Sequence, residues 1–479
     1  MKVLLIAAPR PSTNETPMHM GDGRPPMGLA YVSAYLEKFG HETKIVDMYH
    51  FGGDHDNEKV LPHATATITH TIRANNPIKI FEEIDDYKPD VIGMYIGTIS
   101  YYRGTALMQE IRQKYPDVPT MAGGPHAIEL PNTLTQYFDY VVCGEGEIAA
   151  LDIVEGRIQE KGVVKRNNID DLNELPFPDY RHFIDEPYNW ELEMFTNEIN
   201  PVISCNSTRG CPFSCMFCGV ANTKFRGIDA RNLTNWIATL VDKYDTKGIY
   251  FREDNFTVVP KRVEEFCDIL IADNMNISWA CESRVNNLKP ALIEKMAKSG
   301  CVGLYIGVES GSDKLLKYMR KGEARKDFIK KFPVLHANGI TTYTTWIYGL
   351  PTETEADRKE NDEFIELLNP TTVDRFVYLG VPGSDFYNIL NHTKTYELKE
   401  GNGLLYPPGY LSMARRIYGD GDPRVDYVSE LYEKHHVKAG TTKPYYIDPD
   451  AYENLRTKKV RKQLSSRENV YLHAEISRI

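Results

Sequence analysis

The chain has 479 residues, with 56 Lys plus Arg against 67 Asp plus Glu and a net charge of −11. That length suits about three domains with cores of their own, and the acidity excludes a dedicated nucleic-acid binder, whose footprint is a basic face. Ordinary apolar content with 30 Tyr and 18 Phe excludes disorder, and 8 Cys are too sparse for a disulfide scaffold.

The first strand is expected over 2–8. Its apolar run stops at Pro9-Arg10, too short for a signal h-region, and no small-residue cleavage site follows. No stretch approaches the ~20 apolar residues of a spanning helix. A cytoplasmic protein with reduced thiols is therefore expected.

Further strands are expected over 42–47, 91–96, 120–122 and 140–143. A helix over 28–39 carries Leu29, Val32, Tyr35 and Leu36 at helical spacing and stops at Gly40. This alternation predicts a doubly wound, Rossmann-like α/β domain over 1–155. Ligands of such sheets bind at the carboxyl ends of the strands. The loops there are Pro9-Arg10-Pro11-Ser12, Gly97-Thr98-Ile99-Ser100, Gly123-Gly124-Pro125-His126 and Gly144-Glu145-Gly146-Glu147. Glycine admits close approach of a large ligand, and hydroxyls bond to its polar groups. Ser100, Gly123, Gly124, His126, Gly144 and Glu145 are the candidate contacts.

The first strand, Pro26-Met27-Gly28-Leu29-Ala30-Tyr31 and the last three of these loops resemble the cobalamin-binding domain that precedes the catalytic domain in one class of radical SAM enzymes. The resemblance covers about 1–150 and implies a corrinoid over the sheet edge, its nucleotide tail reaching between strands. The loop Met18-His19-Met20-Gly21-Asp22-Gly23 departs from the D-x-H-x-x-G of carriers that ligate cobalt by histidine, and the segment around His50 has the wrong spacing. No axial ligand is expected from His19, His50 or His126.

Residues 156–200 are expected to be a linker, where Leu175-Pro176-Phe177-Pro178 forces an extended path. The strongest signal follows. Cys211, Cys215 and Cys218 form C-x3-C-x2-C, three thiolates for a four-iron cluster that keeps one iron open. Zinc would want a fourth ligand nearby, and the next Cys or His after Cys218 is Cys267. Cys205, just before the loop, leaves that alternative open.

Beyond the cysteines, strands over 202–206, 248–252, 277–281, 302–307, 341–347 and 375–379 alternate with helices over 232–243, 262–273, 289–299, 313–318, 326–337 and 355–368. Six βα units predict a partial (β/α)6 barrel within 201–394, with its site at the carboxyl ends of the strands. Those ends carry Glu253-Asp254-Asn255, Glu282-Ser283-Arg284, Gly307-Val308-Glu309-Ser310-Gly311-Ser312 and Gly349-Leu350-Pro351. Capping by Asp254 or Asn255 and an ordinary ion pair of Arg284 are the plainer readings.

The cysteine spacing, Phe217 before the last cysteine and these turns resemble the radical SAM superfamily across about 200–390. The resemblance implies a [4Fe-4S] cluster on Cys211, Cys215 and Cys218, whose free iron binds S-adenosylmethionine (SAM). It also implies an acidic group at Glu253 for the SAM ammonium, Arg284 for its carboxylate and Glu309 for its ribose. Reductive cleavage then yields a 5′-deoxyadenosyl radical. A small-molecule substrate and a reductant such as flavodoxin or ferredoxin are implied, with no nucleic-acid partner and no membrane span.

Cys143, Cys267, Cys281 and Cys301 read mainly as small core residues. Residues 395–479 are expected to form an α-rich extension that helps set specificity. Its run 456–467 holds six basic residues, a docking site for a phosphate-bearing substrate or an acidic electron donor, or a solvated helix face. The class as a whole implies cobalamin-dependent methylation of an unactivated carbon. The alternatives are a radical reaction without methylation (dehydration, cyclisation, rearrangement or transfer of another SAM-derived group) and a non-catalytic iron–sulfur or corrinoid carrier.

Overall fold

A computed structural model describes residues 1–9, 25–48, 77–178, 180–182, 199, 201–393, 398–399, 405–406, 409–422, 425 and 429. His19, His50 and the basic run 456–467 lie outside the described residues.

The first domain runs β1 (Lys2–Ala7), α1 (Met27–Lys38), β2 (Glu42–Asp47), α2 (Pro77–Tyr87), β3 (Val91–Tyr95), α3 (Tyr101–Lys114) and β4 (Thr120–Gly123). It closes with α4 (Pro125–Glu129), β5 (Tyr140–Val142), α5 (Gly146–Val154) and β6 (Gly162–Val164). All pairings are parallel, in the order β2-β1-β3-β4-β5-β6. Side chains alternate across a strand. Val3, Leu5 and Ala7 accordingly pack with α1 and α5, while Leu4 and Ile6 pack with α2 and α3. The order reverses between β1 and β3, where doubly wound sheets open a crevice. The strand β6 lies in the segment expected to be linker; three residues are too few for a period-two pattern to show.

The second domain starts with β7 (Val202–Cys205) and a short antiparallel hairpin, β8 (Thr208–Arg209) with β9 (Arg226–Gly227). Then come α6 (Ala230–Tyr244), β10 (Gly248–Phe251), α7 (Pro260–Ala272), β11 (Ser278–Ser283), α8 (Pro290–Lys298) and β12 (Cys301–Glu309). It continues through α9 (Asp313–Tyr318), α10 (Arg325–Ala337), β13 (Thr341–Tyr348), α11 (Glu355–Leu368) and β14 (Thr372–Val377). The six long strands form an open parallel sheet, β14-β13-β12-β11-β10-β7. This is the partial barrel expected from the sequence. Its last strand begins three residues earlier than expected, because Thr372–Val377 opens on polar residues that read as loop.

Alternation again sorts the side chains. Phe251 and Trp279 pack outward with Phe256 of the following turn and Phe266 of α7, ring centroids 4.4–6.0 Å apart. Tyr250 and Ala280 face inward beside Tyr305 and Tyr343. Past the barrel, α12 (Asp385–Thr393) leads to α13 (Tyr410–Tyr418), which covers β14 and accepts the Val377 N–H on its Tyr418 hydroxyl at 2.7 Å. Phe177 of the linker stacks on Trp236 of α6 at 4.7 Å, which ties the connection to the barrel. Among the described residues, no helix is long and apolar enough to cross a membrane.

One hydrophobic core runs from the α1/α5 face into the barrel's helical layer, and an ionic clasp seals its edge. Arg209 of β8 reaches Glu145 at 2.9 Å and Glu147 at 2.5 Å. Arg226 of β9 pairs with Glu145 as well. The Arg209 guanidinium also lies 5.2 Å over the Tyr31 ring, whose hydroxyl donates to the Asn206 carbonyl. Burial alone would raise the Glu145 carboxyl, but the Arg226 hydrogen bond and the Arg209 charge outweigh it and hold the group below its ordinary value.

Removing one partner of a buried pair leaves an uncompensated charge. Arg209→Met is therefore expected to lower unfolding stability by about 3 kcal/mol, measured by denaturant titration. A carboxyl lowered by folding contributes stability that is full above its ordinary pKa and is lost as pH falls through the folded value. Wild type should show that acid-sensitive component below about pH 4, and Arg209→Met should show less of it.

Candidate functional site

The chemistry-bearing loops of both domains meet at one cavity of about 590 Å³, within the usual range of about 300–1,000 Å³ for ligand pockets. From the sheet edge it takes Gly123, Gly124, Gly144 and Glu145; from the barrel it takes Asn206, Thr208, Arg209, Arg252, Glu253, Asp254 and Glu282. A Cβ built on Gly123 or Gly144 would meet nothing within 4 Å, so this floor is clear for a flat ligand lying on backbone. That observation fits the corrinoid implied by the resemblance.

Not every expected contact is on the cavity. Ser100 is buried and spends its hydroxyl on the Gly97 backbone, at 2.9 Å from the N–H and 3.0 Å from the carbonyl. His126 is fully buried, tilted against the Tyr101 ring at 4.6 Å between centroids and bonded through Nε2 to Thr133 Oγ1 at 2.9 Å. Burial pushes its pKa down to about 4. Neither side chain is among the residues lining the cavity. Helical turns at Thr98–Ser100 and α4 direct both residues into the fold rather than over the strand ends. Glu145 does line the cavity, yet its carboxylate is already held by Arg209 and Arg226. Cys143 gives its thiol to the Ile128 carbonyl at 3.3 Å, as a structural cysteine would.

The cysteine loop is built by backbone bonds. Thr223 N–H donates to the Cys211 carbonyl at 3.0 Å, Asn222 N–H to Phe213 at 2.8 Å and Cys218 N–H to Cys215 at 3.2 Å. Met216 ties the loop to the barrel, donating to Met319 and accepting from Phe386, each at 2.9 Å. Gly210 sits at φ +83°, and a Cβ there would lie 2.3 Å from the Lys224 carbonyl oxygen, so only glycine closes this turn. Cys211 and Cys215 are buried, Cys218 is half-buried, and Phe217 packs against the core. Burial pushes the Cys218 thiol up to about 11 and raises Cys211 as well, so ligation there must displace protons. Cys205 is excluded from this set: it is wholly buried beside Tyr180, 3.7 Å from its hydroxyl. Among the described residues, no group of three His, Cys, Asp or Glu side chains converges on a single metal ion. That holds for Cys211, Cys215 and Cys218 too, whose thiols share one loop without converging on a common point in this fold.

Glu253 is buried and accepts from the Ser207 N–H and the Thr208 hydroxyl, while Asp254 beside it accepts from the Gly210 N–H at 3.1 Å. The acidic turn thus braces the start of the cysteine loop. Arg284 lies 4.1 Å over the Phe213 ring and donates to Cys215 Sγ at 3.0 Å. Glu309 ends β12 at φ +68°, a conformation that costs a non-glycine residue about 1–3 kcal/mol. Burial raises its carboxyl, opposed by Lys321 and the Thr345 hydroxyl. Sequence reasoning missed Arg209, Arg226, Lys321 and Glu323, since isolated charges on hairpins and loops carry no periodic signal.

Two family models match: a B12 binding domain over 21–154 and the Radical SAM superfamily over 205–365. An uncharacterised methyltransferase of Pyrococcus horikoshii is 25% identical over 446 residues, 88% of this chain and 87% of the relative. The anaerobic magnesium-protoporphyrin IX monomethyl ester cyclase of Rubrivivax gelatinosus is 24% identical over 412 residues, 81% of this chain and 70% of the relative. Among solved structures, the cobalamin-dependent SAM radical enzyme OxsB with aqua-cobalamin bound aligns at TM-score 0.68 and 14% identity, over 100% of this chain and 75% of that one. The radical SAM methyltransferase TsrM of Kitasatospora setae, with cobalamin and a [4Fe-4S] cluster, aligns at 0.63 and 15%, over 99% of both chains. At such identities the two structures speak for the fold.

Gly210→Ala is expected to open the cysteine loop. Iron and sulfide content after anaerobic reconstitution should fall at least severalfold, while far-UV circular dichroism stays near wild type.

Proposed function

We propose that this chain, which belongs to the radical SAM enzymes that carry an N-terminal B12-binding domain, methylates an unactivated carbon of a small-molecule substrate. The observation that carries this reading is the shared cavity. Gly123 and Gly144 of the sheet edge and Glu253 and Asp254 of the barrel mouth bound the same space. A substrate there would lie between the corrinoid seat and Glu253, an arrangement suited to transfer and not to a carrier; Cys211, Cys215, Cys218, Arg284 and Glu309 are not among the residues lining this cavity. The methyltransferase relatives point the same way.

Cys211, Cys215 and Cys218 would hold the cluster, Glu253, Arg284 and Glu309 would bind SAM, and the Gly123 and Gly144 turns would seat the corrinoid. When bound, these groups supply a 5′-deoxyadenosyl radical and a methyl carrier. The protein supplies position and a dry enclosure. The Arg209–Glu145–Glu147 clasp keeps the two cofactor seats in register, and the continuous core behind it excludes water from that side. Arg284, donating to Cys215 Sγ, brings a positive charge to a thiolate ligand.

A second reading keeps the radical and drops methylation. It is favoured by the cyclase relatives, which match most of this chain.

Anaerobic protein with dithionite and SAM is expected to release 5′-deoxyadenosine, and Cys215→Ala should abolish the release; cleavage that survives this change would sink the radical reading. A Cβ on Gly123 meets nothing within 4 Å, so Gly123→Leu would project into the open cavity. It should keep 5′-deoxyadenosine formation yet lose the corrin absorbance that wild type retains after loading with hydroxocobalamin and desalting. If wild type itself stays colourless, the reaction without methylation is the better reading.

A further inference from the structure

Beneath the barrel mouth, four buried charges alternate in sign. Glu309 Oε1 lies 3.4 Å from Lys321 Nζ, and Lys321 Nζ lies 3.6 Å from Glu323 Oε2. Glu323 Oε2 is also 3.6 Å from Arg284 Nη2, whose Nη1 donates to Cys215 Sγ. The side chains of Glu323 and Lys321 are 0% and 5% exposed, so solvent does not stand in for these partners. Two positive and two negative groups balance, as burial of charge requires.

Three features of β12 bear on one of these groups. The pairing with β13 shifts register between Gly307 and Glu309, a bulge that re-aims a side chain. Glu309 itself holds φ +68°, which local sequence does not favour. A Cβ on Gly307 would lie 2.2 Å from Glu309 Oε1 and 3.0 Å from Lys321 Nζ, so any larger residue would have to push the ends of this pair aside. The backbone is thus arranged around the contact between carboxylate and ammonium.

We propose that Lys321 is a positioning residue for SAM: its buried ammonium, seated over Gly307 and backed by Glu323, fixes the Glu309 carboxylate at the barrel mouth. Thr345 holds the other oxygen at 3.3 Å, so both carboxylate oxygens are committed in orientation. Through Glu323 the same ammonium is joined to Arg284 and hence to a cluster cysteine. The inference rests on the reading of this mouth as the SAM site.

Lys321→Met leaves a surplus buried negative charge and risks the fold, so the decisive variant is Lys321→Met/Glu323→Gln. That change removes the ammonium yet leaves one carboxylate and one guanidinium in the buried group, which therefore stays neutral overall. Both proteins, anaerobically reconstituted, are titrated with SAM while the electron paramagnetic resonance signal of the dithionite-reduced cluster is followed. Melting temperature and iron content are measured alongside. The double variant should keep its iron and fold, and its SAM midpoint should rise at least tenfold, with a smaller change in maximal 5′-deoxyadenosine rate. Gly307→Ala should shift the midpoint in the same direction. A folded, cluster-replete double variant with a midpoint within twofold of wild type overturns the proposal. A wild-type cluster signal indifferent to SAM overturns instead the reading of the mouth as a SAM site, and it does so without reference to any variant.

Discussion

The arrangement depends on charges that cannot stay buried alone. Glu147 is almost wholly enclosed and Glu145 largely so, and both sit on the first domain. Their partners, Arg209 and Arg226, belong to a two-stranded hairpin at the entrance of the second. Desolvating a carboxylate is costly unless a cation meets it in good geometry. The two domains therefore have one docking that satisfies all four groups. It brings the strand ends of the sheet to face the strand ends of the barrel, and the cavity between them follows from that docking.

The same hairpin performs two tasks. Arg209 ends its first strand, and Gly210 and Cys211 follow directly. The clasp that fixes the domains thus also anchors the start of the cysteine loop, which Asp254 steadies from the neighbouring strand end. A shift of the sheet against the barrel would strain the loop through Arg209. This coupling gives a physical reason for the two cofactor seats to share a rigid frame, since radical chemistry demands that reacting atoms be held within a fraction of an ångström.

Much of the fold was legible because its information is local. The apolar run over 2–8 and the strand–helix rhythm from 202 onward identified the first strand of each sheet, and the helical recurrence of Leu29, Val32 and Leu36 identified α1. What escaped were short or polar stretches: β6, with three residues, and the first half of β14, which opens on threonine. Of the candidate site, Cys211, Cys215 and Cys218 were proposed from spacing, and Gly123 and Gly144, which line the cavity, from their place after strands. Ser100 and His126 were chosen by the same proximity rule. Helical turns direct their side chains into the fold, a matter of backbone direction that loop composition does not encode.

By itself, the sequence determined the order of elements, the three thiols on one loop and the glycine-bearing turns, since each depends on neighbours within a few residues. The tertiary structure decided which charges meet. Glu145 finds Arg226 across 81 positions, and Arg284 finds Cys215 across 69. Lys321 reaches Glu309 only because a bulge and a glycine turn both into the same space. Such pairings are chosen by the cost of leaving a charge unpaired in a dry interior, which is a property of the packed molecule and of no single stretch of chain.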